Sequence, residues 1–174
     1  MDFTLREVAR RIGVSHAAPY RHFADKSALV TELAAAATLD LAARIEAALS
    51  AAGRDLRARF LGAGLAYVRF ALERPASFRV MMSSDIDTSA PSMVEARSRS
   101  YGLLLRFIED AQKAGVFPPG EPTDLAIPIW AMHHGLADLA LSGVFEVQDP
   151  EKLRCVVDDA HTRLLDGLWI AAGL

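Results

Sequence analysis

Apolar residues recur along this chain at intervals of three and four, and nowhere in the strict alternation of a half-buried strand. That period predicts helices throughout. "TLRE" at 4–7 is a capping box, in which Thr4 accepts from the backbone N–H of Glu7 and Glu7 reaches back to Thr4. Leu5, Val8, Ala9 and Ile12 follow at helical spacing, and Gly13 supplies the stop. Ser15 is a cap for a second, short helix running to about His22, with Pro19 four residues beyond the cap. Asp25 caps a long third helix, whose stripe of Leu29, Leu33, Ala37, Leu41, Ile45 and Leu49 ends near Gly53. Another spans about Arg54 to Arg74, where Pro75 breaks the pattern, and "ASFRVMMSS" makes a shorter one before the loop "DIDTSAPS". The next continues to about Gly115. After the linker "FPPGEP", Thr123 opens a helix to about Gly143, and Asp149 and Pro150 take the cap and first positions of the last one. The pattern predicts eight helices, an all-α chain with no internal repeat.

The second of these helices is the odd one. "VSHAAPYRHFADK", residues 14–26, holds a serine, two histidines, a tyrosine beside basic residues and a lysine, with little apolar bulk. Two helices joined by "GVS", the second short and polar, describe a helix-turn-helix. Ser15 offers a hydroxyl and free backbone N–H groups to a phosphate. His16, Ala17 and Tyr20 share a face; the small Ala17 permits close approach, and either Ala17 or Tyr20 suits a thymine methyl. His22 and Lys26 fall where phosphates of the strand would pass. Phe23 reads as a residue that packs inward.

Charge changes the picture only through its distribution. The net charge of −3 disfavours a nucleic-acid binder, but residues 1–30 hold five Arg/Lys against three acids, leaving −5 on the remainder. A small basic head on an acidic body permits a polyanion-binding end. Apolar residues make up 52% of the chain and mean hydropathy is +0.18. The apolar runs are broken by charge and "MDFTLREVARR" lacks the apolar core of a signal peptide, which points to a cytoplasmic protein whose surplus apolarity serves a core, a cavity or an interface. A lone Cys155 excludes an internal disulfide and a cysteine-based zinc site, and reads as a small buried hydrophobe.

"TLREVARRIGVSHAAPYRHFADKSALV", residues 4–30, closely resembles the signature of the TetR/AcrR family of bacterial transcriptional regulators: the Thr4 cap, "VA" at 8–9, "GVS" at 13–15, Tyr20, "HF" at 22–23, then Asp25, Lys26 and Leu29. The resemblance implies a homodimer that binds palindromic operator DNA through residues 1–30, and a helical domain over 31–174 that senses a small molecule and dimerises. It further implies that Thr4, Ser15, Tyr20, His22 and Lys26 contact phosphates, and that Arg6, His16, Ala17 and Tyr20 stand at base edges. Members of the family carry a full helix before the "T-x-R-E" stretch, whereas only three residues precede Thr4 here. The head is therefore expected to lack its first helix, with Phe3 filling part of the gap.

"PASFRVMM" at 75–82 and "WAMHHGLADLAL" at 130–141 resemble the C-terminal domain type named for a Trp-His-Gly motif, here Trp130, His134 and Gly135. Trp130 and His134 share a helix face, and Ala131 and Gly135 would let another helix approach closely. The expected pocket is Phe78, Met81, Met82, Tyr101, Leu105, Trp130, His133 and His134, since methionines and aromatics make adaptable apolar walls and a histidine supplies a polar contact. Its effector would be apolar or amphipathic. At this spacing the same residues also read as plain core. His134 and Asp138, four apart, read as a hydrogen-bonded pair rather than a metal site. "DIDTSA" fails as a calcium loop, because Ala90 and Ala96 stand where glycine and glutamate belong. With no phosphate loop, nucleophile elbow or "HExxH", no catalytic residue, metal or cofactor is expected. Val156, Val157, Ala160, Leu164, Leu165, Leu168 and Trp169 cover more than one side of their helix, so the last two helices are expected to form a homodimer's four-helix bundle. Two readings follow: a ligand-responsive regulator, with repression the expected mode, or a helical small-molecule-binding or interaction protein that has lost DNA binding.

Overall fold

The computed structural model describes residues 3–145 and 149–171, the last four of these by backbone alone. Among them are seven α-helices and no strand: α1 Leu5–Arg11, α2 Lys26–Ala51, α3 Leu56–Glu73, α4 Pro75–Val80, α5 Pro91–Lys113, α6 Pro122–Leu141 and α7 Pro150–Ala171. The capping box forms, with Thr4 Oγ1 accepting from Glu7 N–H at 3.2 Å and Glu7 accepting from Thr4 N–H at 2.7 Å. Asp25 and Asp55 cap α2 and α3 through Ala28 and Ala58 N–H groups. Four helices open on proline, whose missing donor falls where a helix start has no use for one. Pro122 rather than Thr123 is thus the first residue of α6. The turn of α4 tightens after Val80, with Met82 and Ser83 N–H groups donating to carbonyls three residues back, so α4 stops short of the expected Ser84.

The eighth expected helix is absent in α-form. Between α1 and α2 only Pro19–Arg21 is helical, as a single 3-10 turn. The cause is Pro19. An α-helix capped by Ser15 would need the N–H of residue 19 to reach the Ser15 carbonyl, and proline has none. That carbonyl instead accepts from Ala18 N–H at 3.0 Å, winding the segment one residue tighter.

From α2 onward the helices form one body. α2, 26 residues long, packs along α3 and α5; α3 in turn meets α6 and α7, and α5 meets α6. One core cluster gathers Leu41, Val68, Phe70, Phe78 and Val157; a second gathers Phe60, Phe107, Ile108, Phe117 and Ile129. Phe3 packs against the first cluster and lies under the Lys26 ammonium, 5.1 Å from the ring centroid. No helix among the described residues is long and apolar enough to cross a membrane.

Expectations for α7 change at Val157, Leu164, Leu165 and Cys155. Val157 is completely buried in its own chain's core, and Leu164 and Leu165 pack against the second cluster, because α7 lies on α3. They are spent within the chain; Val156 and Ala160 stay partly open, and the side chains of Leu168 and Trp169 lie outside the described residues. Cys155 is exposed rather than buried, since α7 turns its Val157 side inward.

Candidate functional site

Thr4, Arg6, Ser15, His16, Ala17, Tyr20 and His22 are all exposed, Tyr20 by 51%. The head buries only Leu5 and Ala9 from α1 and nothing from the 3-10 turn. Phe23 is half-buried, as its apolar reading required. Lys26 differs from its neighbours. Its Nζ lies 2.9 Å from Asp85 Oδ2, and that ammonium holds the Asp85 carboxyl below its ordinary range. Ser27 Oγ donates to the Asp85 carbonyl at 2.6 Å, and Thr31 Oγ1 accepts from Asp87 N–H at 2.9 Å. The loop after α4 is thereby fastened to the first turns of α2, and the acids of "DIDTSA" are engaged: Asp87 accepts from Ser89 N–H and hydroxyl. Among the described residues no group of three or more potential metal ligands comes together.

The body holds a partly open cavity of about 530 Å3 between α2, α3, α5 and α6. That volume suits a small organic molecule. Met81, Met82, Tyr101, Trp130 and His133 line it, as the sequence suggested. Phe78, Leu105 and His134 do not. Phe78 is core, its ring 5.0 Å from His134, and Leu105 packs against the second cluster. The α2 contribution, Thr38, Leu41, Ile45 and Leu49, escaped the sequence reading because this stripe looks like any buried helix face. Phe60, Ala63, Tyr67, Met93, Arg97, Ser98, Ser100, Leu103, Leu104 and Phe107 complete the wall.

Two polar arrangements stiffen the cavity's α6 wall. Trp130 Nε1–H donates to the Tyr67 hydroxyl at 3.2 Å, which leaves the single phenolic proton for His134 Nδ1 at 3.1 Å. His134 thus partners Tyr67 on α3 rather than Asp138, which stays exposed at the next turn. Burial pushes the Tyr67 phenol up to about 12, so it remains a donor.

The second arrangement is a buried histidine pair. His133 Nε2 and His161 Nε2 lie 2.8 Å apart, one ring donating to the other. Burial, and for His133 the charge of its neighbour as well, pushes them down to about 3 and about 4, so both are neutral near pH 7. The Phe60 ring stacks on His161 with centroids 3.8 Å apart. The pair closes over Gly64 of α3, where a Cβ would stand 2.8 Å from both imidazoles. His161 and Gly64 were missed by the sequence reading. The only local signal was glycine at 62 and 64 inside an apolar helix, which marks close approach. Gly135, expected to be such a point, faces open space.

Known proteins agree with this architecture. Residues 60–164 match the family described as tetracyclin repressor-like, C-terminal domain, and residues 1–33 match bacterial regulatory proteins, tetR family. Among solved structures, a protein of unknown function from Rhodococcus sp. RHA1 is 35% identical, with a TM-score of 0.78 over 95% of this chain and 84% of that one. A tetR-family regulatory protein from Rhodococcus RHA1 superposes with a TM-score of 0.74 at 22% identity, covering 95% and 86% of the two chains. The TetR family transcriptional regulator PfmR from Thermus thermophilus gives 0.71 at 22%, covering 95% and 89%. No curated protein matches. With a family match across more than half of its length, and a second over the head, the chain belongs to the TetR family of bacterial transcriptional regulators.

Proposed function

We propose that the protein is a ligand-responsive regulator, a repressor in mode, that binds palindromic operator DNA as a homodimer and is released by a small effector in the body. The observation that carries this reading is the head's polar segment: Ser15, His16, Ala17, Tyr20 and His22 all face solvent on a family member's DNA-binding region. In this reading Thr4, Ser15, Tyr20, His22 and Lys26 meet phosphates, and Arg6, His16, Ala17 and Tyr20 meet base edges. Lys26 would exchange Asp85 for a phosphate on binding.

Trp130, His134 and Gly135 fit the Trp-His-Gly motif of this domain type, its first two residues converging on the Tyr67 hydroxyl. The dimer forms through α6 and α7. α6 supports this, since Ile127 is 64% exposed and Trp130 46%, and the small Ala131 and Gly135 lie open between them and Leu139. Two-fold pairing would set the heads one DNA turn apart, about 34–36 Å. The effector acts only through its differential affinity for the DNA-competent and released arrangements.

The second reading, a helical ligand-binding protein without DNA affinity, draws on the 3-10 turn where a recognition helix is expected. Selection of bound duplexes from a random pool separates the two. A palindromic consensus is expected, with binding whose salt slope falls by about one unit in Lys26→Ala. Failure to enrich any duplex, or an unchanged slope, would favour the second reading or remove Lys26 from the contact set.

A further inference from the structure

Among the described residues the cavity's lining carries one formal charge, at its edge. No carboxylate among the described residues lines the wall, and His133 at the inner end is neutral. The single permanently charged lining residue among the described ones is Arg97 on α5, which is exposed and so stands at the cavity's rim. Arg99, two residues on, is taken up by Glu46 at 3.0 Å, and Arg59 by Asp110. Arg97 has no ion-pair or hydrogen-bond partner among the described residues. Beside it on the same helix wall, the hydroxyls of Ser98, Ser100 and Tyr101 likewise have none. One cation and three hydroxyls therefore stand together at the edge of a chamber otherwise walled mainly by leucine, methionine and aromatic rings. A guanidinium suits a planar carboxylate, which accepts two parallel N–H bonds.

We infer that the effector is an amphipathic monocarboxylate, its apolar body inside the cavity and its carboxylate on Arg97 and the α5 hydroxyls. This rests on the reading of the cavity as the effector site and adds the ligand's charge. A neutral ligand would leave Arg97 unused, and an amine would meet it with like charge.

The test is calorimetric titration of the whole protein with decanoate, 1-decanol and decylamine, without DNA. Wild type is expected to bind decanoate and to discriminate against decylamine. In Arg97→Gln, decanoate should weaken by about fivefold while decanol stays within about twofold, because an exposed ion pair contributes modestly. Raising the salt should erode decanoate binding in wild type and leave decanol binding unaltered. Arg97 is exposed, so the variant should keep its melting temperature. Equal loss of decanoate and decanol, or no loss of either, overturns the role of Arg97. Binding of all three without discrimination overturns the inference while leaving the cavity as an effector site. No binding of any of them overturns both. A carboxylate that binds yet leaves operator affinity unchanged contradicts the regulator reading alone.

Discussion

Head and body use their residues in opposite ways. In the head, from Phe3 to Asp25, only Leu5 and Ala9 are fully buried, while Ile12, Val14 and Tyr20 are large apolar or aromatic side chains left in solvent. The body folds three phenylalanine rings and two neutral histidines into one packed cluster centred on Phe60. A surface built to meet a partner cannot also hide its side chains, so the head contributes little of its own to stability. It is held through Phe3 on the body's core and runs straight on into α2, whose first residues Lys26 and Ser27 are fastened to the loop at Asp85. The contrast separates the two kinds of substitution: changes in the body should move stability, and changes in the head should move recognition.

The largest effect is expected at Phe60, which touches Phe107, Phe117, His133 and His161 and lines the cavity. Phe60→Ala should destabilise by about 3–5 kcal/mol, read by denaturant unfolding. A loss below about 1 kcal/mol would mean that the cluster collapses to fill the space. Gly64→Ala comes next. Its new Cβ would press on two rigid imidazoles at 2.8 Å, and the expected cost is about 1–3 kcal/mol. An unchanged melting temperature would place the rings elsewhere in solution.

Acid should sharpen the contrast further. His133 and His161 resist protonation in the fold down to about 3 and about 4. Histidines of the unfolded chain take protons near pH 6.5, as in free peptides. As pH falls below that value the unfolded state binds protons that the folded state refuses, and stability drops, by on the order of 1 kcal/mol per pH unit for each proton. Stability is thus fully present above about pH 6.5 and declines below it, before most carboxylates titrate. Thermal melts between pH 7 and 5 should show the decline, and His161→Asn should shallow it. A flat profile in wild type would contradict the buried neutral pair. The smallest effect on stability belongs to the head, where Tyr20→Ala should stay within about 0.5 kcal/mol.

What could be read from the sequence was the local part. The Thr4–Glu7 capping box and the Asp25 cap are contacts within a few residues, and they fell where their spacing put them, as did Pro150 at the start of α7; the openings of α4, α5 and α6 on proline did not. The head's polar residues were legible for the same reason, since a segment with no apolar bulk has nothing to bury. Residues 15–22 are less helical than the Ser15 cap implies, because a cap cannot replace the backbone donor that Pro19 lacks. The body's polar partners lay beyond local reach. Tyr67 and His134 are 67 residues apart and His133 and His161 are 28 apart, so no spacing rule connects them. His134–Asp138 was a plausible local pair, yet the distant Tyr67 hydroxyl took His134. Part of the cavity was found through its methionines and Trp130, whose types suit a pocket; the α2 wall is mostly ordinary leucine and isoleucine.

The division of labour is tested most directly by one variant with two readings: operator affinity by fluorescence anisotropy and melting temperature, both for Tyr20→Ala. A selective loss is predicted, with affinity for the selected palindrome falling about tenfold or more and melting unchanged within a degree or so. Unaltered affinity, or a loss matched by an equal loss of stability, would contradict the claim that this exposed segment reads DNA.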